Sequence, residues 1–578
     1  MLNTMNKNIL IIILLFSSGI IFSQKKKKEK LKTEEITVVK AYTPTVADAY
    51  KINIGPEIDS VELAKKELEY TINSIPVAST FTPAKGKAKT LKRDPKEHIY
   101  NNYISAGFGN YITPIVEAFI STNSSNYNEF GGFINYHSSA GGIEGVQLND
   151  NFMDFDVDLF YKQLERDFKW QANGGFNYLM TNWYGLPDEI DFTKIVLNSI
   201  DEKQSYTDVY LGGNIEIFDS LFYGAKANFS SLFDKEKSRE TRGTVSGLLD
   251  FPIGREIINL ALSFDFLGGV FEQNFSQTSK LQYTFFNIGL SPNFEILREN
   301  LTVNAGLRLY YSLANSQDEK SKFYIYPNIT ASFKIKNDNL VAYAGLIGDL
   351  EQNSYKGFVI ENPFVSPTLD IKRTSQQYNG YAGIKGFITS KFRFNVKVAY
   401  INEEDKPLYK LNPSKTDGTN IVENGYDSGN SFQVVYDDVN TIHASGELIV
   451  DLFKSFKFGG NIEFNSYSLT MEEEAWNLPM LTSTLIARYE QKKWSAGANL
   501  FLVTDRKDEL TILPLATTDL ITNSAYFDIN LDAIYNINDK VSVFLNLNNL
   551  LNSNYQQYTN FKVQGFQVVG GLKYKFNF

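Results

Sequence analysis

The 578-residue chain has no cysteine. That excludes a disulfide framework, a thiolate metal site and lipid attachment at a cysteine behind a processed leader. Its three histidines, His98, His137 and His443, are scattered, with no pair one helical turn apart, so no helix-borne metal motif is present. There is no phosphate-binding glycine loop, no nucleophile elbow and no credible triad. The reading is therefore not an enzyme, with no metal and no cofactor. Long apolar runs are also lacking apart from one, and the mean hydropathy of −0.25 excludes a bundle of membrane helices. Tryptophan is scarce at 4 residues, whereas Tyr (34) and Phe (44) are abundant, and the strand argument below rests on them.

The single apolar run is Ile9 to Phe22. Lys7 precedes it, Ser17, Ser18 and Gly19 interrupt it, and Ile21-Phe22-Ser23 offers a cleavage site before Gln24. This is the layout of a secretory signal peptide over residues 1–23, and the run is short for a membrane span. The net charge is −10 but uneven, with residues 24–98 carrying an excess of about five positive charges. A basic arm invites a nucleic-acid reading, but the exported address and acidic body argue against one. The arm reads as a solvated periplasmic tether, part of which could lie in a lumen.

From Ile99 onward, amphipathic strands follow one another. Met153, Phe155, Val157, Leu159 and Tyr161 alternate with Asp154, Asp156, Asp158 and Phe160. Ile258 to Phe266, Leu301 to Leu309, Phe392 to Tyr400, Trp494 to Leu502 and Phe527 to Tyr535 repeat the period-two pattern. The last stretch, FQVVGGLKYKFNF, places Leu572, Tyr574, Phe576 and Phe578 on one face and Lys573, Lys575 and Asn577 on the other. Such a strand suits the closing edge of a barrel in lipid, which needs an oily exterior and no free edge. Connections alternate short and long. Tight turns fall near 124–125, 164–165, 219–220, 254–255, 298–299, 337–338, 390, 454, 491–492 and 538. Longer ones fall at 139–150, 181–203, 234–240, 271–277, 313–322, 349–374, 403–439, 469–478, 505–524 and 549–562. The expected fold is an all-β transmembrane antiparallel barrel over 99–578, of about 22 strands, with short periplasmic turns and long extracellular loops. That count places Phe432 to Tyr436 in a loop hairpin rather than in the wall.

Behind the leader, Glu35, Ile36, Thr37, Val38, Val39, Lys40 and Ala41 form a β-favouring segment on a flexible tether, suited to strand addition by a partner. Together with Glu34 they read EEITVVKA, which resembles the TonB box of TonB-dependent outer-membrane receptors. Leu547-Asn548-Asn549-Leu550-Leu551-Asn552 with Tyr555, then Gly565 and the strand to Phe578, is similar to that family's C-terminal pattern. Trp476-Asn477-Leu478-Pro479, and Asn362-Pro363 with Pro367, are similar to its loop-to-strand entries. The resemblance covers box and barrel but no plug domain, since only about fifty residues separate Val46 from the first strand. It implies an outer-membrane receptor of a Gram-negative bacterium that takes up a solute with energy from TonB. Outer-membrane lipid, the barrel assembly machinery and other outer-membrane or surface proteins are the further partners expected. Two alternatives stay open: an accessory barrel of an assembly or secretion complex, and a passive porin.

Two local features are weighed here. Asp154, Asp156, Asp158 and Glu165 have the spacing of an EF-hand's acidic ligands, but Leu159 stands where that loop needs glycine. The strand reading points the three aspartates into the lumen instead. Loop aromatics Trp183, Tyr184 and Tyr355 are candidates for stacking on a sugar.

Overall fold

The computed structural model describes residues 99–578, except 126, 254–255, 317–318 and 337–338. The leader and the Glu35–Ala41 segment lie outside the described residues. Twenty-two antiparallel strands form one sheet that closes on itself, because the first strand, Asn102–Gly109, pairs with both the second, Thr113–Ser125, and the last, Gln567–Phe576. Most of these strands exceed the roughly ten residues that cross a bilayer, so they project beyond it on the side of the long loops.

Register sets the faces. Ile104 lies opposite Tyr574 and Ala106 opposite Leu572, and Ile104, Leu572 and Tyr574 are all exposed. Lys573, one step along, points the other way, its ammonium 3.7 Å from the Tyr103 ring centroid. The same parity runs round the ring: Val396 and Val398 are more than half exposed, while Asn395, one step before Val396 and so on the other face, accepts from the Tyr343 hydroxyl. Exposed outward aromatics gather at both rims. Phe130, Phe251, Phe333, Tyr489 and Trp494 lie toward the short turns, and Phe108, Phe233, Tyr311, Phe323, Tyr378 and Tyr400 toward the long loops. An apolar band between two aromatic girdles is what a bilayer requires of a barrel exterior.

The lumen face is polar. Arg242 forks onto Asp265 through bonds of 3.0 and 2.6 Å. Asp154, Asp156 and Asp158 lie on the strand Phe152–Leu164, on the face opposite the exposed Leu159, and Asp156 accepts from Asn135 at 3.2 Å.

Three details differ from expectation. The closing strand ends at Phe576. Phe578 lies past it, because the partner strand begins only at Asn102; beyond the pairing, the Asn577 side chain bonds Asn101 N and Ile99 O. Phe432 to Tyr436 is a hairpin, but one continuous with the wall: Phe432–Phe453 runs on beyond a bulge at Glu403/Lys406, pairing Phe432 to Tyr436 with Leu411 to Pro407. The 505–524 connection holds its own hairpin, Arg506–Ile512 with Thr517–Asn523.

Candidate functional site at the long-loop end

The long connections do not splay into solvent. They fold over the barrel mouth and share one apolar core. Two short helices are built into them. Lys194–Leu197 (α1) is capped by Thr193, and Tyr355–Glu361 (α2) by Ser354, whose Oγ accepts from Gly357 N at 3.0 Å. Ser and Thr caps satisfy the orphan N–H groups at a helix start.

The core knots loops of distant origin. Tyr184 leaves the fifth wall strand, Phe364 lies after the thirteenth, and Phe561 lies before the last. Phe364 and Phe561 stack with centroids 3.8 Å apart, and Tyr184 sits 5.0 Å from Phe561 and 5.7 Å from Phe364. Their loops are rooted about a third of the circumference apart. In a ring of this size, roughly 40 Å across, they meet only over the lumen. A second crossing confirms it: Thr193 N donates to Gly418 O at 3.0 Å and Asn430 Nδ2 to Trp183 O at 2.6 Å. These bonds join the connection after the fifth strand to the one after the fifteenth, almost opposite in the ring.

Buried carboxylates tie the segments together. Asp508, on the inner side of the extra hairpin, has no solvent exposure. It accepts from Leu411 N (2.9 Å), Glu509 N (2.8 Å), Asn477 Nδ2 (2.7 Å) and the Thr559 hydroxyl. Burial pushes its carboxyl above the ordinary carboxylate range, with those four bonds opposing. Asp437 gathers the 470–480 connection, accepting from Met471 N at 3.0 Å and Glu472 N at 2.7 Å. Glu240 receives the start of α2: Tyr355 N at 2.6 Å, Lys356 N at 2.9 Å and the Tyr283 hydroxyl at 2.7 Å. Asp234 accepts from the Tyr355 hydroxyl at 2.8 Å, and Lys356 pairs with Asp208 at 2.6 Å. Arg373 reaches Ser312, Glu319 and the Lys320 carbonyl.

The sugar-stacking candidates are overturned. Trp183 and Tyr355 are buried to within 1 % of full cover, and Tyr184 is packed in the knot, because a cap spanning so wide a mouth needs large side chains in its own core. The family-like motifs fare differently. Asn477, at φ +57°, bonds Asp508 and the Tyr409 carbonyl. Asn549 braces the last loop by bonding the Ser553 and Gln564 carbonyls. The carboxylate ties escaped sequence reading: Asp234 and Glu240 lie at strand ends and Asp208 and Asp437 within strands, where their alternation matches that of any polar-face acid, and Asp508 lies in the extra hairpin. Among the described residues, no group of acids and histidines is arranged to hold a metal ion.

The architecture is that of a large closed barrel, and the fold matches solved outer-membrane receptor barrels. The chain is similar to the FrpB iron transporter of Neisseria meningitidis, with a TM-score of 0.63 and 10% identity over 83% of this chain and 82% of that one. It is similar to the ferripyoverdine receptor of the Pseudomonas aeruginosa outer membrane, with a TM-score of 0.59 and 13% identity over 84% and 73%. It is also similar to the ferric-catecholate import receptor Fiu of E. coli K12, with a TM-score of 0.60 and 10% identity over 83% and 82%. No family model and no curated protein matches the sequence.

Proposed function

We propose that this chain is an outer-membrane receptor barrel that binds a solute at its long-loop, extracellular end and passes it to the periplasm with energy from TonB. The observation behind this reading is the closed 22-stranded barrel whose long connections all converge at one end, in a fold similar to three barrels that carry iron or ferric chelates by name. The Glu35–Ala41 segment would supply the grip for TonB by strand addition. A ferric chelate is the first solute class to test. Removing residues 35–41 should abolish ferric-chelate uptake by cells while leaving surface binding intact. Uptake that persists, or a TonB periplasmic domain that does not retain the intact arm, would remove the energised version.

The interlocked cap favours a second reading, a non-transporting accessory barrel in a larger outer-membrane assembly. Recovery as a lone monomer from gently solubilised outer membrane would count against it.

A further inference from the structure

We infer that the permeability barrier of this barrel is its own cap, with the 353–372 connection as the strap across the mouth and Glu240 as the strap's anchor. The strap leaves the wall after the thirteenth strand, Leu340–Gln352, and returns at the fourteenth, Arg373–Thr389. Its far contacts are on the sixth to tenth strands. Glu240 lies on Arg239–Ile253, Asp234 on Phe222–Asp234, Asp208 and Tyr206 on Lys203–Ile217, and Tyr283 on Leu281–Leu297. The Tyr206 hydroxyl adds a bond to the Pro363 carbonyl at 2.9 Å. The strap thus covers a chord well over half the diameter.

The strap has a buried apolar row and a polar attachment. Tyr355, Phe358, Val359, Val365, Leu369 and Ile371 are buried, and Phe271 meets the Tyr355 ring at 4.9 Å. Among several polar ties, Glu240 is the one that accepts from two of the helix-start N–H groups at once. A buried N–H that loses its acceptor has no water to replace it, so loss of this side chain loosens the strap end, still held by Asp234, Asp208 and Tyr206, while leaving the wall pairing untouched. The strap is also tied to the next connection: a bridge joins Val365 to Phe432, and Ser366 N donates to Phe432 O at 2.9 Å. Every strap contact named above lies within the described barrel residues, and the arm deletion below tests whether the barrier depends on anything before them. This inference rests on the cap's geometry alone and not on the uptake reading, so either can fail without the other.

The test is single-channel conductance in planar bilayers of four purified proteins, each first shown to be folded by heat-modifiable gel mobility. They are the full chain, a chain lacking residues 25–93, a chain with residues 354–371 replaced by a short Gly-Ser turn, and Glu240→Ala. The full chain and the arm-deleted chain should both be silent. The strap replacement should give large steady conductance, and Glu240→Ala brief openings. A Val365→Cys/Phe432→Cys pair added to Glu240→Ala, the only thiols in the chain, should suppress those openings when oxidised and restore them when reduced. Steady conductance from the arm-deleted chain, or silence from both the strap replacement and Glu240→Ala, would overturn the inference.

Discussion

Replacing Asp508 by alanine tests the physics of the cap most sharply. The carboxylate serves donors on four segments: its own hairpin, the end of the strand Phe392–Leu411, the 470–480 connection and the 549–566 connection. Alanine leaves the Leu411 N–H, the Asn477 amide and the Thr559 hydroxyl without this acceptor. Each orphaned buried donor costs about 1–3 kcal/mol. The gross loss is therefore roughly 3–9 kcal/mol. Relief of the burial cost that raises this carboxyl offsets part of it. A net loss of about 3–5 kcal/mol of local stability is expected, the range for breaking one side of a buried polar network. Asn at 508 keeps an acceptor oxygen and the shape, so its cost should be about 1–2 kcal/mol. The assay is amide hydrogen exchange in detergent, followed at Leu411 and across Arg506–Ile512. A drop of about 3 kcal/mol speeds exchange by roughly a hundredfold. Protection in the wall strands should not change, because the cap opens as a local unit. If Asp508→Ala leaves the Leu411 amide as protected as in the parent, or if Asn costs as much as Ala, the reasoning is wrong.

Further outcomes follow from the same contacts. Gly425→Ala should prise apart the two connections that cross the mouth, since a Cβ there would lie 1.8 Å from the Asp201 carbonyl oxygen; about 1–3 kcal/mol should appear as faster exchange at Thr193 N, with Gly446→Ala, whose nearest neighbour is 3.5 Å away, as the neutral control. Arg373→Ala strips a buried guanidinium from Glu319, Ser312 and the Lys320 carbonyl and should cost about 3–5 kcal/mol, with Lys rescuing little because it has no fork; the thermal unfolding midpoint reads this. The raised Asp508 carboxyl means the folded cap holds that proton more tightly than the unfolded chain does. Its contribution should be fullest below the ordinary range near about pH 4 and decline as pH rises through the raised value. Exchange-derived opening energies of the hairpin should show this slope, and Asp508→Asn should flatten it.

The wall was readable from sequence because a barrel in lipid imposes a strict period of two, and each strand repeats the same test. Ile104, Leu572 and Tyr574 follow that rule independently of what the rest of the chain does. Turn positions were readable for the same reason, each marking where the alternation breaks. The cap was not. Its core is made of aromatics such as Trp183, Tyr355 and Phe561 that sequence reading places on exposed loops, and it forms only because closure brings loops from far apart in the chain over one mouth. Asp508 and Glu240 read as ordinary polar-face acids until their partners, up to 116 residues away, are known. That the Phe432 to Tyr436 hairpin is continuous with the wall was hidden by the bulge at Glu403/Lys406, which shifts the register.

The central claim is a closed cylinder with lipid outside and water within, sealed by its first and last strands. The absence of native cysteine allows a direct check: single cysteines at each position from Gly570 to Lys575, spin-labelled in bilayers and probed with oxygen and an aqueous nickel chelate. Labels at 570, 572 and 574 should favour oxygen, and labels at 571, 573 and 575 should favour nickel or be shielded from both. A profile without alternation, or nickel access on both faces, would contradict the account.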